Sequence, residues 1–287
     1  MRDPQSWVFT AQCPSAIGTV DVCTHFMAQR GLYVDQHQSF DDRIAEQFFI
    51  RIAFHPQEEG FSADEFNRAF KTFAARYDMT WTLTPPDKRP KVAILVSKYD
   101  HCLNDLLYRH RTGQLNIDIP LIISNHPDLQ SLADAHDIPY YHLPITKETK
   151  PEQEAQIKEL LIQYEVELVV LARYMQVMSP AMCEFLDGWA INIHHSLLPG
   201  FKGAKPYHQA WEKGVKLVGA TAHYINNDLD EGPIIAQGIR DADHNSYPED
   251  LVRKGQDVER VVLARAVQMH IENRVFLSGQ RTIVLQD

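Results

Sequence analysis

A chain of 287 residues with 44% hydrophobic and 23% charged side chains has the material for one large core or two modest ones. Its formal charge of −10 argues against a nucleic-acid partner, which would need a local excess of Lys and Arg. No apolar run approaches the roughly 20 residues that span a bilayer, and Met1-Arg2-Asp3-Pro4-Gln5-Ser6 lacks the basic, apolar and small order of a signal peptide, so a cytoplasmic protein with no membrane partner is expected. The four cysteines, Cys13, Cys23, Cys102 and Cys183, form no CxxC pair and are expected to be reduced, mostly buried thiols.

Taken in chain order, the pattern predicts a strand over 6–12, a helix over 15–29, strands over 32–40 and 46–54 joined by the charged turn Asp41-Asp42-Arg43, a helix over 63–76 and a strand over 79–83. Ser62 and Glu65 have capping-box spacing at the start of the second helix. This βαββαβ order packs two helices on one face of an antiparallel sheet, a ferredoxin-like arrangement. Thr84-Pro85-Pro86-Asp87-Lys88-Arg89-Pro90 then interrupts the pattern, because proline removes an amide donor and restricts its predecessor. The predicted organisation is a first domain over 1–84, a linker over 85–90 and a second domain over 91–287.

Beyond the linker the rhythm changes to short continuous apolar runs at 92–96, 121–123 and 168–171, which suit buried parallel strands. Helices are expected over 102–111, 150–164 and 250–274, the last with apolar Val258, Val261, Val262, Ala266 and Met269 at helical spacing. The fold class is therefore α/β, with ligands expected beyond the carboxyl ends of the strands.

The chemistry is concentrated in Ala190-Ile-Asn-Ile-His-His-Ser-Leu-Leu-Pro199 and Asp228-Leu-Asp-Glu-Gly-Pro233. On an extended strand Asn192 and His194 share a face and His195 points to the other. A carboxamide and an imidazole side by side can hold a carbonyl oxygen as it becomes an oxyanion. A carboxylate is then needed to orient the imidazole and handle the nucleophile's proton. Asp230, beside Gly232-Pro233, is the leading candidate, and Asp228 is an alternative that spacing leaves open. The histidines His194, His195, His208 and His223 match no zinc spacing and no HExxH helix, so no metal is expected. Neither a GxSxG elbow nor a glycine-rich phosphate loop occurs.

Asn192-Ile-His-His-Ser-Leu-Leu-Pro199 with Leu229-Asp-Glu-Gly-Pro233, at this separation, resembles the signature of the folate-dependent formyltransferase superfamily. The resemblance covers residues 91 to about 287 and implies a Rossmann-like formyltransferase fold in which Asn192, His194 and Asp230 are catalytic. It further implies that Arg173, Tyr174, Met175, Gln176 and Val177 border the folate, that His195, Lys205 and Asp228 contribute to the substrate site, and that folate is a substrate, with no separate cofactor.

Ser97-Lys-Tyr-Asp-His-Cys-Leu-Asn-Asp105 is too bulky to cradle a substrate phosphate, and His195 stands where the phosphate-binding transferases have proline. Both departures resemble a hydrolytic member that releases formate and tetrahydrofolate from 10-formyltetrahydrofolate, supplying formate for purine biosynthesis and balancing one-carbon pools. Transfer of the formyl group to an amine is the alternative, and an amino-acid-sensing folate-binding protein without catalysis is a second. The first domain resembles an ACT domain, which implies a homo-oligomer and an amino-acid effector such as glycine or methionine, although Ser15 and Ala16 replace the usual charged pair in its first loop.

Overall fold

The computed structural model describes residues 6–200 and 206–286, which fall into two compact units. The first comprises the residues up to Lys88 together with 272–278 and 283–287. Its elements are β1 (Trp7–Pro14), α1 (Thr19–Ala28), β2 (Leu32–Asp42), β3 (Gln47–Pro56), α2 (Ala63–Ala74) and β4 (Thr80–Thr84). The sheet order is β2-β3-β1-β4 with every pair antiparallel, as the βαββαβ pattern requires.

Helix α1 starts later than the predicted position 15. Ser15 is held outside the helix, its backbone N–H donating to the Glu46 carbonyl at 2.9 Å and its hydroxyl to Asp41 Oδ1 at 2.5 Å. Gly18 then turns the chain at φ 92, a left-handed conformation that glycine adopts without strain. At α2, Ser62 Oγ accepts from the Glu65 amide at 3.3 Å, so the capping residue does its expected work.

The core of this unit is aromatic. Phe26 on α1 packs edge-on against Phe66 and Phe70 of α2, with ring centroids 5.1 and 5.0 Å apart, and Phe9 of β1 lies 4.9 Å from Phe70. Because Phe26 is fully buried, Phe26→Ala leaves a cavity that the rigid neighbouring rings cannot fill. The expected loss is about 3–5 kcal/mol, read as a fall in the urea midpoint with an unchanged slope.

The second unit comprises Arg89–Ile271 and Gly279–Thr282. It contains β5 (Val92–Val96), α3 (His101–Arg111), β6 (Ile122–Ser124), α4 (Gln130–Asp134), β7 (Tyr140–His142), α5 (Lys150–Gln163), β8 (Leu168–Leu171), α6 (Pro180–Phe185), β9 (Ala190–His194), α7 (Pro206–Glu212), β10 (Leu217–Tyr224), β11 (Ile234–Asp241) and α8 (Pro248–Ile271). The seven strands run in the order β11-β10-β9-β8-β5-β6-β7. The five from β9 to β7 are parallel, and three of them, β5, β6 and β8, lie at the apolar runs that predicted parallel strands. Strand β10 runs antiparallel to both β9 and β11, and the nine-residue link 225–233 to β11 is too short for a crossover helix.

Strand order reverses between β5 and β8, which opens a crevice at their carboxyl ends. Helix α8 buries Val258, Val262, Ala266 and Met269, while Val261 of the predicted stripe faces outward. A Cβ on Gly238 of β11 would come within 2.6 Å of Val262, so glycine there lets the helix lie close to the sheet. The chain ends in β12 (Val275–Ser278) and β13 (Arg281–Val284). All four cysteines are free, buried thiols, and burial pushes the Cys23 thiol up to about 12.

Candidate active site

At the carboxyl ends of β8 and β9 lies a cavity of about 300 Å³, lined by Asn192, His194, His195, His223, Asp230 and the segment Arg173–Met178, among others. Asn192 and His194 reach it from one face of β9. His195, predicted to point away, also borders it, because β9 ends at His194 and strict alternation ends with it.

Asp230 arrives from the link between β10 and β11. Its backbone takes φ 59, a left-handed conformation that Asp tolerates, and the Glu231 amide donates to the Asp228 carbonyl at 3.1 Å. A Cβ on Gly232 would lie 1.7 Å from the Tyr224 carbonyl oxygen, so only glycine permits this tight return beside β10. The result places Asp230 Oδ1 3.2 Å from His194 Nδ1. Asp228 lines the rim and is exposed. Burial alone would raise the Asp230 carboxyl, but the hydrogen bond from His194 and the imidazoles around it hold it below the ordinary value. Asp230 is therefore ionised and accepts the His194 Nδ1 proton. His194 Nε2, at the opposite end of the ring, is buried with no hydrogen-bond partner.

The segment Arg173–Met178 is anchored from behind. The Met175 amide donates to Ser97 Oγ at 3.0 Å, Ser97 donates in turn to Asn125 Oδ1 at 2.6 Å, and Lys150 Nζ donates to the Val177 carbonyl at 2.6 Å. Gln153 donates to the Tyr174 hydroxyl at 2.9 Å, and Glu154 receives both the amide and the hydroxyl of Ser179. Held in this way, Met175 and Val177 present exposed apolar side chains to the cavity opposite exposed Leu229, which suits a flat, partly apolar ligand. Arg173, Tyr174, Met175, Gln176, Val177, His195 and Asp228 thus all border one cavity with Asn192, His194 and Asp230. Lys205 lies outside the described residues.

Residues 90–267 match the formyl transferase family. Over its whole length the chain is 49% identical across 286 residues to the formyltetrahydrofolate deformylase of Corynebacterium sp. (strain P-1), with 100% of each covered. The crystal structure of the formyltetrahydrofolate deformylase from Pseudomonas putida KT2440 superposes with a TM-score of 0.93 at 58% identity, covering 98% of this chain and 100% of the other. That from Burkholderia mallei ATCC 23344 gives 0.94 at 50% identity, covering 99% and 100%. The chain belongs to the formyltetrahydrofolate deformylase family.

One residue of the site was not legible as such in the sequence, where His223 reads only as a rejected metal ligand. In the antiparallel register of β9 and β10, His223 lies directly opposite Asn192 and Thr221 opposite His194. His223 Nδ1 is 2.8 Å from the Tyr224 carbonyl oxygen, which can only accept, so Nδ1 carries the proton. Burial lowers the pKa of this ring and keeps it neutral, leaving Nε2 as an acceptor. Asn192 Nδ2, 3.2 Å away, therefore donates to it. This fixes which way the carboxamide faces and leaves its second N–H for a ligand oxygen. Thr221 performs a related task for the turn after β9, donating to the Ser196 carbonyl at 2.9 Å and accepting from the Leu198 amide at 3.0 Å.

His223→Leu is accordingly expected to lower kcat about tenfold, the worth of one buried hydrogen bond that orients a donor. In the double variant with Asn192→Ala, the His223 substitution should cost little more, because both act through the same amide. Independent, multiplying losses would show that His223 acts elsewhere.

Proposed function

We propose that this chain hydrolyses 10-formyltetrahydrofolate to formate and tetrahydrofolate, with Asn192, His194 and Asp230 as the catalytic group. The observation that carries the reading is the convergence of an oriented Asn192 N–H, an unpartnered His194 Nε2 and an ionised Asp230 in one cavity. The formyl oxygen accepts hydrogen bonds from Asn192 Nδ2 and from protonated His194 Nε2. Water held at Asp230 attacks the formyl carbon, and both donors strengthen their bonds as charge gathers on oxygen. A proton from the attacking water passes to the Asp230–His194 pair. The C–N bond then breaks, N10 takes a proton, and formate leaves.

Folate is the substrate, and this chemistry uses no separate cofactor. Arg173, Tyr174, Met175, Gln176 and Val177 border the pterin side, with Asp228 at the rim. The first unit serves in homo-oligomer formation and carries an amino-acid effector, with glycine and methionine the candidates. A cytoplasmic location fits a chain in which no described helix is long and apolar enough to cross a membrane.

Incubating the protein with 10-formyltetrahydrofolate and no amine tests the activity, because a transferase needs its acceptor and a hydrolase does not. Formate and tetrahydrofolate are expected in equal amounts. Turnover that appears only when an amine acceptor is added would overturn the hydrolytic reading, and folate binding without turnover would favour a sensor. Running the assay with and without glycine and methionine reads out the effector role.

A further inference from the structure

Arg173, two residues beyond β8, takes φ 66, and only 7% of its surface is exposed. Its guanidinium lies over the Tyr99 ring at 4.8 Å. Nη1 is 3.4 Å from Glu259 Oε2, but that carboxylate is already engaged: Oε1 accepts from the Tyr207 hydroxyl at 2.8 Å, and Oε2 pairs with His101 Nε2 at 2.8 Å. Arg173 Nε and Nη1 are consequently buried with no hydrogen-bond partner. A guanidinium has five N–H donors and no acceptor, so Nε and Nη1 keep donor capacity for an incoming acceptor.

The neighbouring His195 points to the same chemistry. Burial, and then the Arg173 cation, lower its pKa to about 4, so the ring is neutral and offers one N–H. It borders the cavity that Arg173 also lines, with its centroid 5.2 Å from that of His194. A metal ion is a poor occupant. His101, Cys102 and Glu259 do bring ligand atoms within 4.8 Å of one another, but the guanidinium against Glu259 offsets the negative charge a cation would need. What Arg173 and His195 offer together is N–H donors, which a small ligand carrying only acceptor oxygens complements.

We propose that Arg173 and His195 form a subsite for the product formate, which they receive from Asn192 and His194. This rests on the hydrolytic reading, because hydrolysis generates such a ligand in this cavity. Water oxygen bonds to the formyl carbon, the C–N bond breaks, N10 takes one proton, and the carbon departs as formate with the other proton released to solvent. Formate then carries two equivalent oxygens, a geometry that guanidinium N–H groups match better than an ammonium does. Transfer to this subsite clears the oxyanion donors for the next formyl group.

Product-inhibition kinetics test the subsite, with formate and the planar anion nitrate as probes. The formate inhibition constant is expected to rise about tenfold or more in Arg173→Gln, the loss of a charge-assisted hydrogen bond, and to rise less in Arg173→Lys, which keeps charge without the fork. Because Arg173 also borders the folate, the Michaelis constant for 10-formyltetrahydrofolate is read in the same variant, and only a rise in the inhibition constant beyond that of the Michaelis constant supports the subsite. Equal formate inhibition in wild type and a folded Arg173→Gln would overturn the subsite.

Should that variant fail to fold, the line width of isotope-labelled formate in NMR, with tetrahydrofolate present, gives the readout on wild type and His195→Leu. Broadening in wild type that weakens in His195→Leu supports the site, and no broadening at saturating protein overturns it. Absence of amine-free turnover would instead sink the hydrolytic reading, whereas normal turnover with unaltered formate inhibition sinks the subsite alone.

Discussion

Replacing Asn192 by Ala should lower kcat for formate release by about 10²–10³-fold, the usual consequence of deleting one oxyanion donor. The loss should appear in kcat and kcat/KM together, since the donor strengthens its bond only as charge develops, and affinity for tetrahydrofolate should be nearly unchanged. A stability cost accompanies it. His223 Nε2 loses the Asn192 N–H that it accepts at 3.2 Å and is left as a buried, unpaired acceptor, which costs about 1–3 kcal/mol. Asn192→Asp should recover neither stability nor activity, because a carboxylate offers no N–H to His223 Nε2 or to the formyl oxygen. A near-wild-type rate in Asn192→Ala would show that the oxyanion is held elsewhere.

The second large effect concerns Asp230. Asp230→Asn keeps the shape but removes the charge that accepts from His194 Nδ1 at 3.2 Å, so a loss of about 10²–10⁴-fold in kcat is expected, the range that positioned acid–base groups supply. Asp228→Asn should be nearly silent, since Asp228 is exposed at the rim. A reversed outcome would transfer the role to Asp228.

The Asp230 carboxyl titrates below its ordinary value, so the acid limb of kcat/KM should lie below the usual aspartate range. The same shift links to stability. A folded-state pKa below the unfolded one means that the Asp230–His194 pair contributes stability above the unfolded value. That contribution is lost as pH falls through the folded value, and Asp230→Asn should flatten this part of the stability profile.

Much of this site could be read in the sequence because it rests on strand periodicity. Val92-Ala-Ile-Leu-Val96 and Leu168-Val-Val-Leu171 are apolar on both faces and stand as β5 and β8 at the predicted positions. Asn192 and His194 share a face of β9 for the same reason. What could not be read depends on pairing and on turns. His223 opposes Asn192 only once the β9 and β10 register is known, and nothing local to Ala222-His223-Tyr224 signals it.

The choice between Asp230 and Asp228 needs the left-handed turn at Asp230 and the close approach of Gly232 to Tyr224. Strand β7 has three residues, too few to show a period, and α1 loses its predicted first turn to the Ser15 contacts with Asp41 and Glu46. Likewise, the ion cluster of Arg173, Glu259, His101 and Tyr207 joins four segments far apart in the chain.

A single turnover of 10-formyltetrahydrofolate in water enriched in heavy oxygen, without any amine, tests most directly whether water at Asp230 is the nucleophile. Attack by water requires one labelled oxygen in each formate released, at a rate that Asp230→Asn depresses in proportion to the loss in kcat. Formate released without the label would contradict it.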